Sequence, residues 1–213
     1  MSGSSPQRAP RRLTVRRLFG LDRSGPPPTA TRSDQPLRPL TIPNLVGYLR
    51  LAGIPVFLVL ALESGDGRSA PAAILYAAIT GSDYLDGFLA RATGQYSRLG
   101  AILDPLVDRL TILAGVVVCW HFNLLPRWAL AILVARELTT LVLAQWSLRH
   151  GLDLKVNWIG RIAVFPVMGG LFGAMVVDSI VVDALFVVGV ALAVLATVLY
   201  VRSGLREKRL ADA

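Results

Sequence analysis

Six long apolar segments joined by short connections restrict what this chain can become. They run over about Pro43–Leu62, Pro71–Arg91, Leu99–Phe122, Pro126–Leu148, Trp158–Val177 and Ile180–Val201. Several approach the roughly 20 residues an α-helix needs to cross the hydrocarbon layer of a bilayer. A mean hydropathy of +0.56 with 54% hydrophobic residues is too apolar for an ordinary soluble domain of 213 residues. The expected fold class is therefore all-α, a polytopic membrane protein with six transmembrane helices in a bundle. Short connections favour antiparallel neighbours. Thr41 and Asn44 are both candidate N-caps for the first helix.

The flanks differ in composition. Residues 1–39 are rich in Pro, Ser, Gly and Arg, and Arg8, Arg11, Arg12, Arg16, Arg17, Arg23, Arg32 and Arg38 face only Asp22 and Asp34. Such a segment cannot bury a core and is expected to be a disordered, solvated cytoplasmic tail. It has no continuous apolar run before a small-residue site, so it does not read as a secretory signal. Residues 40–203 form the expected membrane domain, and 204–213 a short basic tail. The net charge of +8 points to a membrane surface. No interleaving of aromatic and basic residues supports nucleic acid as a partner. Cys119, the single cysteine, cannot form an intrachain disulfide and is expected to fill space in a span.

Charge asymmetry orients the spans. Arg91 and Arg98 flank the second connection, Arg149, Lys155 and Arg161 the fourth, and Arg202, Arg206, Lys208 and Arg209 follow the last span. The alternate connections hold Glu63, Asp66, Arg68, Arg127, Asp178 and Asp183. Basic connections stay inside, so both termini are expected in the cytoplasm, with the protein multi-pass in the cell membrane. Trp120, Trp128, Trp146 and Trp158 lie near span ends, as interfacial aromatics do. His121 falls near an outer connection and is expected at the interface, not as a ligand.

Within this apolar frame, Ser82–Leu110 carries four aspartates, Asp83, Asp86, Asp104 and Asp108. Asp83, Asp86, Gly87 and Ala90 recur at i, i+3, i+4 and i+7, one face of a helix. Asp104 and Asp108 are again i and i+4. Charged residues inside spans are costly and usually face a functional cavity. Four unpaired carboxylates would repel one another, and a hard divalent cation, or two, of the Mg²⁺ or Mn²⁺ kind resolves that repulsion. One aspartate at a helix end would be an ordinary cap. Four in two helical registers, with small Gly87, Ala90 and Gly100 between them, call for more.

The pattern Asp-x2-Asp-Gly-x2-Ala-Arg-x8-Gly-x3-Asp-x3-Asp resembles the signature of the CDP-alcohol phosphotransferases. Asp83, Asp86, Gly87, Ala90, Arg91, Gly100, Asp104 and Asp108 match all eight specified positions. The resemblance implies a six-helix membrane enzyme, homodimeric, with a cavity open to the cytoplasm and two divalent ions. It implies Asp83, Asp86 and Asp104 as metal ligands, and Asp108 as a fourth ligand or the general base. Arg91 would hold the pyrophosphate of CDP-diacylglycerol, and Gly87, Ala90 and Gly100 would make room for the nucleotide. The implied reaction transfers a phosphatidyl group to an alcohol and releases CMP.

Ile42–Pro55, Ala135–Glu137 and Val156–Arg161 are similar to the branch that makes phosphatidylglycerophosphate or cardiolipin. The run Gly160, Arg161, Ile162, Ala163, Val164 departs from the polar run of the glycerol 3-phosphate enzymes and is closer to the cardiolipin synthases. Inositol phosphate is an alternative acceptor, and a cation transporter or channel is the reading from a different class. Arg136, Lys155 and Arg161 are candidates for the acceptor's phosphate. Lys155 and Arg161 read equally well as cytoplasmic flank charges. Asn44 and Arg50 are candidates for lining the cavity. The alternative for Arg136 is an ion pair with a carboxylate such as Glu137 or one from another span; adjacent residues on a helix do not face each other, so a pair with Glu137 itself is not expected.

Overall fold

The computed structural model describes residues 39–93, 97–149 and 158–211. Six α-helices account for nearly all of them, and no strand occurs among the described residues. They are α1 (Ile42–Leu62), α2 (Ala70–Thr93), α3 (Arg98–His121), α4 (Arg127–Arg149), α5 (Trp158–Ala174) and α6 (Ile180–Ala211). Each overlays one of the expected segments. The exception in length is α6, which runs on from the expected span end near Val201 to Ala211. Leu205, Arg206, Glu207, Lys208 and Leu210 are good helix formers, and the helix continues through Gly204 into them. The short C-terminal tail expected from residue 204 is therefore helical to Ala211. The expected N-terminal tail lies, but for Pro39, outside the described residues.

Two helices are long and apolar enough to cross a membrane among the described residues: α1, with 21 residues at mean hydropathy 2.1, and Ile180–Arg202 of α6, with 23 residues at 2.7. A shorter apolar helical stretch covers Ile162–Ala174. Helices α2, α3 and α4 interleave their apolar residues with Asp83, Asp86, Asp104, Asp108, Arg136 and Glu137, which lowers their hydropathy.

The chain divides into two compact units. The smaller holds described residues 39–49 and Ser82–Asp104, and the larger Arg50–Gly81 and Pro105–Ala213. The seam in α3 falls at Pro105, which lacks the N–H that would bond the Ala101 carbonyl.

In the larger unit the core is built from close helix approaches. The Phe57 and Tyr76 rings lie 5.0 Å apart, and the Tyr76 hydroxyl donates to Met168 Sδ at 3.5 Å. Helix α6 packs on both α4 and α5. A methyl on Gly189 of α6 would lie 2.7 Å from the backbone nitrogen of Val167, so only glycine allows this α5–α6 approach. Small residues at such crossings let backbones come together where no water-driven burial assists them.

The connections after α1, α3 and α5 meet at one end of this unit. Arg68 Nη2 is 3.3 Å from Asp178 Oδ2. Gly67, at φ 75°, lies against the Phe122 ring. Arg127 stacks over Trp120 at 5.7 Å. His121 packs edge-on against Phe122. These are the connections that lack an excess of basic charge.

Candidate active site

In the smaller unit, local capping fixes how α1 and α3 begin. Thr41 is the N-cap of α1: its carbonyl accepts from Leu45 N–H at 3.0 Å and its hydroxyl from Asn44 N–H at 3.4 Å. Asn44 is thereby released for another task. Its side chain, 2% exposed, donates through Nδ2 to the Pro39 carbonyl at 3.1 Å and accepts from Ser97 Oγ at 2.8 Å. Ser97 Oγ in turn accepts the Gly100 N–H at 2.9 Å, an N-cap bond for α3. This chain of bonds ties the first turn of α1 to the first turn of α3.

The same contact explains Gly100. A methyl there would lie 2.7 Å from Asn44 Oδ1 and 3.1 Å from Ser97 Oγ. Close packing of α3 on Asn44 is therefore a sufficient reason for glycine at this position. Ser97 was not among the residues singled out from sequence. Its signal was present, a serine three residues ahead of Gly100 where a helix begins.

The aspartates are distributed over the two units. Asp83, exposed, and Asp86 lie near the end of α2, and half-buried Asp104 on α3, all in the smaller unit. Asp108 lies one turn further along α3, in the larger unit. Asp86, Gly87, Ala90 and Arg91 lie on α2 with side chains outside the described residues. Among the described residues no three His, Cys, Asp or Glu side chains gather as a metal set. The donor chemistry nonetheless fits a hard cation: the acidic positions offer only carboxylate oxygens, with no histidine or cysteine in Ser82–Leu110.

Asp108 has a buried counter-charge. Arg50 of α1, 3% exposed, places Nη2 2.6 Å from Asp108 Oδ1. Its Nε donates to the Ile79 carbonyl of α2 at 3.1 Å. One guanidinium thus joins α1, α2 and α3. The Asp108 side chain remains 43% exposed, so the pair is closed on the arginine side and open on the carboxylate side. Sequence reading placed Arg50 only as a cavity-lining candidate.

The next residue of α3 begins a second charged group. Arg109 Nε is 3.9 Å from Glu137 Oε2 of α4. Arg136 Nη1 bonds Glu137 Oε1, and Arg136 Nε donates to Thr197 Oγ1 of α6 at 3.2 Å. This corrects the expectation that Arg136 and Glu137 do not pair. Their Cβ atoms diverge by about 100° around the helix, but both side chains are long enough to turn back. Burial of Glu137, whose side chain is 5% exposed, makes an unpaired carboxylate there costly. Arg136 and Glu137 line a small pocket with Ile112, Leu133, Gly160 and Ala163 among its walls. Lys155 lies outside the described residues, and Arg161 lies on α5 with its side chain outside them.

Residues 40–200 match the model of the CDP-alcohol phosphatidyltransferase family. The chain is similar to a cardiolipin synthase (CMP-forming) of Streptomyces coelicolor, 46% identical over 135 residues, covering 62% of this chain and 63% of that protein. It is also similar to a probable phosphatidylglycerophosphate synthase of Mycobacterium tuberculosis, 33% identical over 175 residues, 77% of this chain and 81% of that one. A CDP-diacylglycerol–glycerol-3-phosphate 3-phosphatidyltransferase of Bacillus subtilis is 30% identical over 134 residues, 57% of this chain and 69% of its own length. The match spans just under two thirds of the Streptomyces relative.

Proposed function

This chain belongs to the CDP-alcohol phosphatidyltransferase family, and from that premise we propose that it moves the phosphatidyl group of CDP-diacylglycerol to a glycerol-type alcohol, releasing CMP. The observation that carries the reading is the complete aspartate signature at the end of α2 and the start of α3, separated only by residues 94–97.

In this reading the acceptor's hydroxyl oxygen attacks the phosphorus nearer the diacylglycerol. The P–O bond to the cytidylate breaks, and CMP takes the bonding pair. Asp108, beside the Arg50 guanidinium, accepts the hydroxyl proton. Asp83, Asp86 and Asp104, with Asp108, would hold divalent cations, two of the Mg²⁺ or Mn²⁺ kind. Bound there, such ions supply neutralisation of the pyrophosphate and of charge on the leaving oxygen. Arg91 orients the pyrophosphate, and Gly87 and Ala90 leave room for the nucleotide.

The acceptor is phosphatidylglycerol or glycerol 3-phosphate. The run Gly160–Val164, which lacks the polar pattern of the glycerol 3-phosphate enzymes, and the higher identity to a protein named cardiolipin synthase favour phosphatidylglycerol. Arg136 meets the acceptor's phosphate, with Lys155 and Arg161 as further candidates.

The six helices cross the membrane with both termini and the aspartates in the cytoplasm, and the enzyme is a homodimer. Exposed apolar side chains such as Phe165 at 79%, Leu49 at 66% and Val142 at 66% support a lipid-facing surface. Clustering of the aspartates in one stretch favours an enzyme over a cation path, which would spread polar groups across the bilayer.

The test is purified protein in mixed micelles with CDP-diacylglycerol, Mg²⁺ or Mn²⁺ and each acceptor in turn. CMP release with a product of the mass of cardiolipin or phosphatidylglycerophosphate is expected. No CMP with any alcohol, together with cation flux in vesicles, would overturn the reading in favour of transport.

A further inference from the structure

Glu137 is a buried carboxylate that two arginines share. Arg109 reaches it from α3 and Arg136 from its own helix. A lone buried carboxylate needs one counter-charge, and one close arginine supplies it. Here two cations meet one anion, and both arginines keep surface, 29% for Arg109 and 20% for Arg136, while Glu137 keeps only 5%. Arg136 is further fixed through Nε by Thr197 Oγ1, which itself donates to the Ala193 carbonyl at 3.0 Å. Glu137 is anchored to its helix by packing, and Thr140 Oγ1 donates to its backbone carbonyl at 2.8 Å. The carboxylate is the most buried of the three charged groups, and both arginines meet it from more exposed positions. The pocket beside it is mostly apolar, with Arg136 and Glu137 as its charged lining.

We propose that Glu137 is a positioning residue that holds Arg109 and Arg136 to receive the phosphate of the acceptor alcohol. The inference rests on the phosphatidyltransferase reading above and adds Arg109 and Thr197 to the acceptor side of the site. A guanidinium already held by Thr197 and Glu137, with the charge of Arg109 beside it, recognises a phosphate at low ordering cost. A headgroup phosphate of phosphatidylglycerol and free glycerol 3-phosphate offer the same chemistry, so both serve as probes.

The experiment measures CMP release by the full chain in mixed micelles, titrating each acceptor at saturating CDP-diacylglycerol and the reverse. Glu137→Gln keeps shape and removes the charge. It raises KM for the productive acceptor by about tenfold, the scale of one charge-assisted hydrogen bond, and leaves KM for CDP-diacylglycerol unchanged. Thr197→Val shifts the same constant in the same direction by less. Glu137→Asp recovers part of the acceptor affinity lost in Glu137→Gln. The acceptor that responds, glycerol 3-phosphate or phosphatidylglycerol, identifies the source of the phosphate. A lowered melting temperature in both variants with both KM values unchanged would reduce the group to a structural ion cluster and overturn the proposal. A rise in KM for CDP-diacylglycerol instead would move the arginines to the donor. If the unmodified chain releases no CMP with either acceptor, the phosphatidyltransferase reading itself fails, an outcome distinct from an unresponsive Glu137→Gln.

Discussion

Arg50 and Asp108, 58 residues apart in sequence, meet at 2.6 Å, with the arginine 3% exposed and the carboxylate 43% exposed. The arginine also bonds the Ile79 carbonyl, so its charge is held on two sides. The pair therefore links the catalytic candidate to the packing of α1, α2 and α3.

Removing either partner has different consequences. Asp108→Asn takes the carboxylate's charge from beside the buried Arg50 guanidinium, at a cost of about 1 kcal/mol or more for a pair with one partly exposed partner. A lower melting temperature is expected together with loss of turnover. Arg50→Met removes the buried charge itself, so the double variant Arg50→Met/Asp108→Asn is expected to melt higher than Asp108→Asn alone. Thermal unfolding of the four proteins in one detergent gives the coupling directly. Additive losses would show that the two residues do not depend on each other.

Gly100→Ala places a methyl 2.7 Å from Asn44 Oδ1. Overpacking of this kind costs about 1–3 kcal/mol, and a drop in melting temperature is expected. Asn44→Ala in the same chain should recover part of it. If Gly100→Ala instead melts normally and raises KM for CDP-diacylglycerol, the glycine serves the nucleotide and not the α1–α3 contact.

The α5–α6 crossing gives a sharper contrast. At Gly189 a methyl meets backbone atoms of Pro166 and Val167 at 2.9 and 2.7 Å, which cannot turn aside. At Gly81 nothing lies within 4 Å. Gly189→Ala is expected to lower the melting temperature by several degrees, about 2 kcal/mol of overpacking. Gly81→Ala should hold or raise it, by up to about 1 kcal/mol of helix propensity. Equal behaviour of the two variants in a thermal scan would contradict the crossing geometry.

Helix positions were readable because long apolar segments and their short polar joints are written along the chain. The aspartates stood out for the same reason: a charge in an apolar segment has few cheap explanations. Pairings between helices were not readable. Helical register says which residues share a face, not which helix that face meets, so Arg50 could be named without its partner. Glu137 was misjudged because a rule about Cβ directions was applied to two long side chains in a buried setting. The run of α6 to Ala211 was missed because a change from apolar to basic residues was read as the end of a helix, although helix formers continued. The role of Ser97 depends on Asn44 of another helix, which no local pattern around Ser97 records.

The most direct test of the account is CMP release from CDP-diacylglycerol by the purified chain, with and without chelator, beside Asp83→Asn and Asp104→Asn. The account predicts turnover that stops with chelator, returns with Mg²⁺ or Mn²⁺, and is absent in both variants while each still folds. Undiminished CMP release by either variant, or release that persists in chelator, would contradict it.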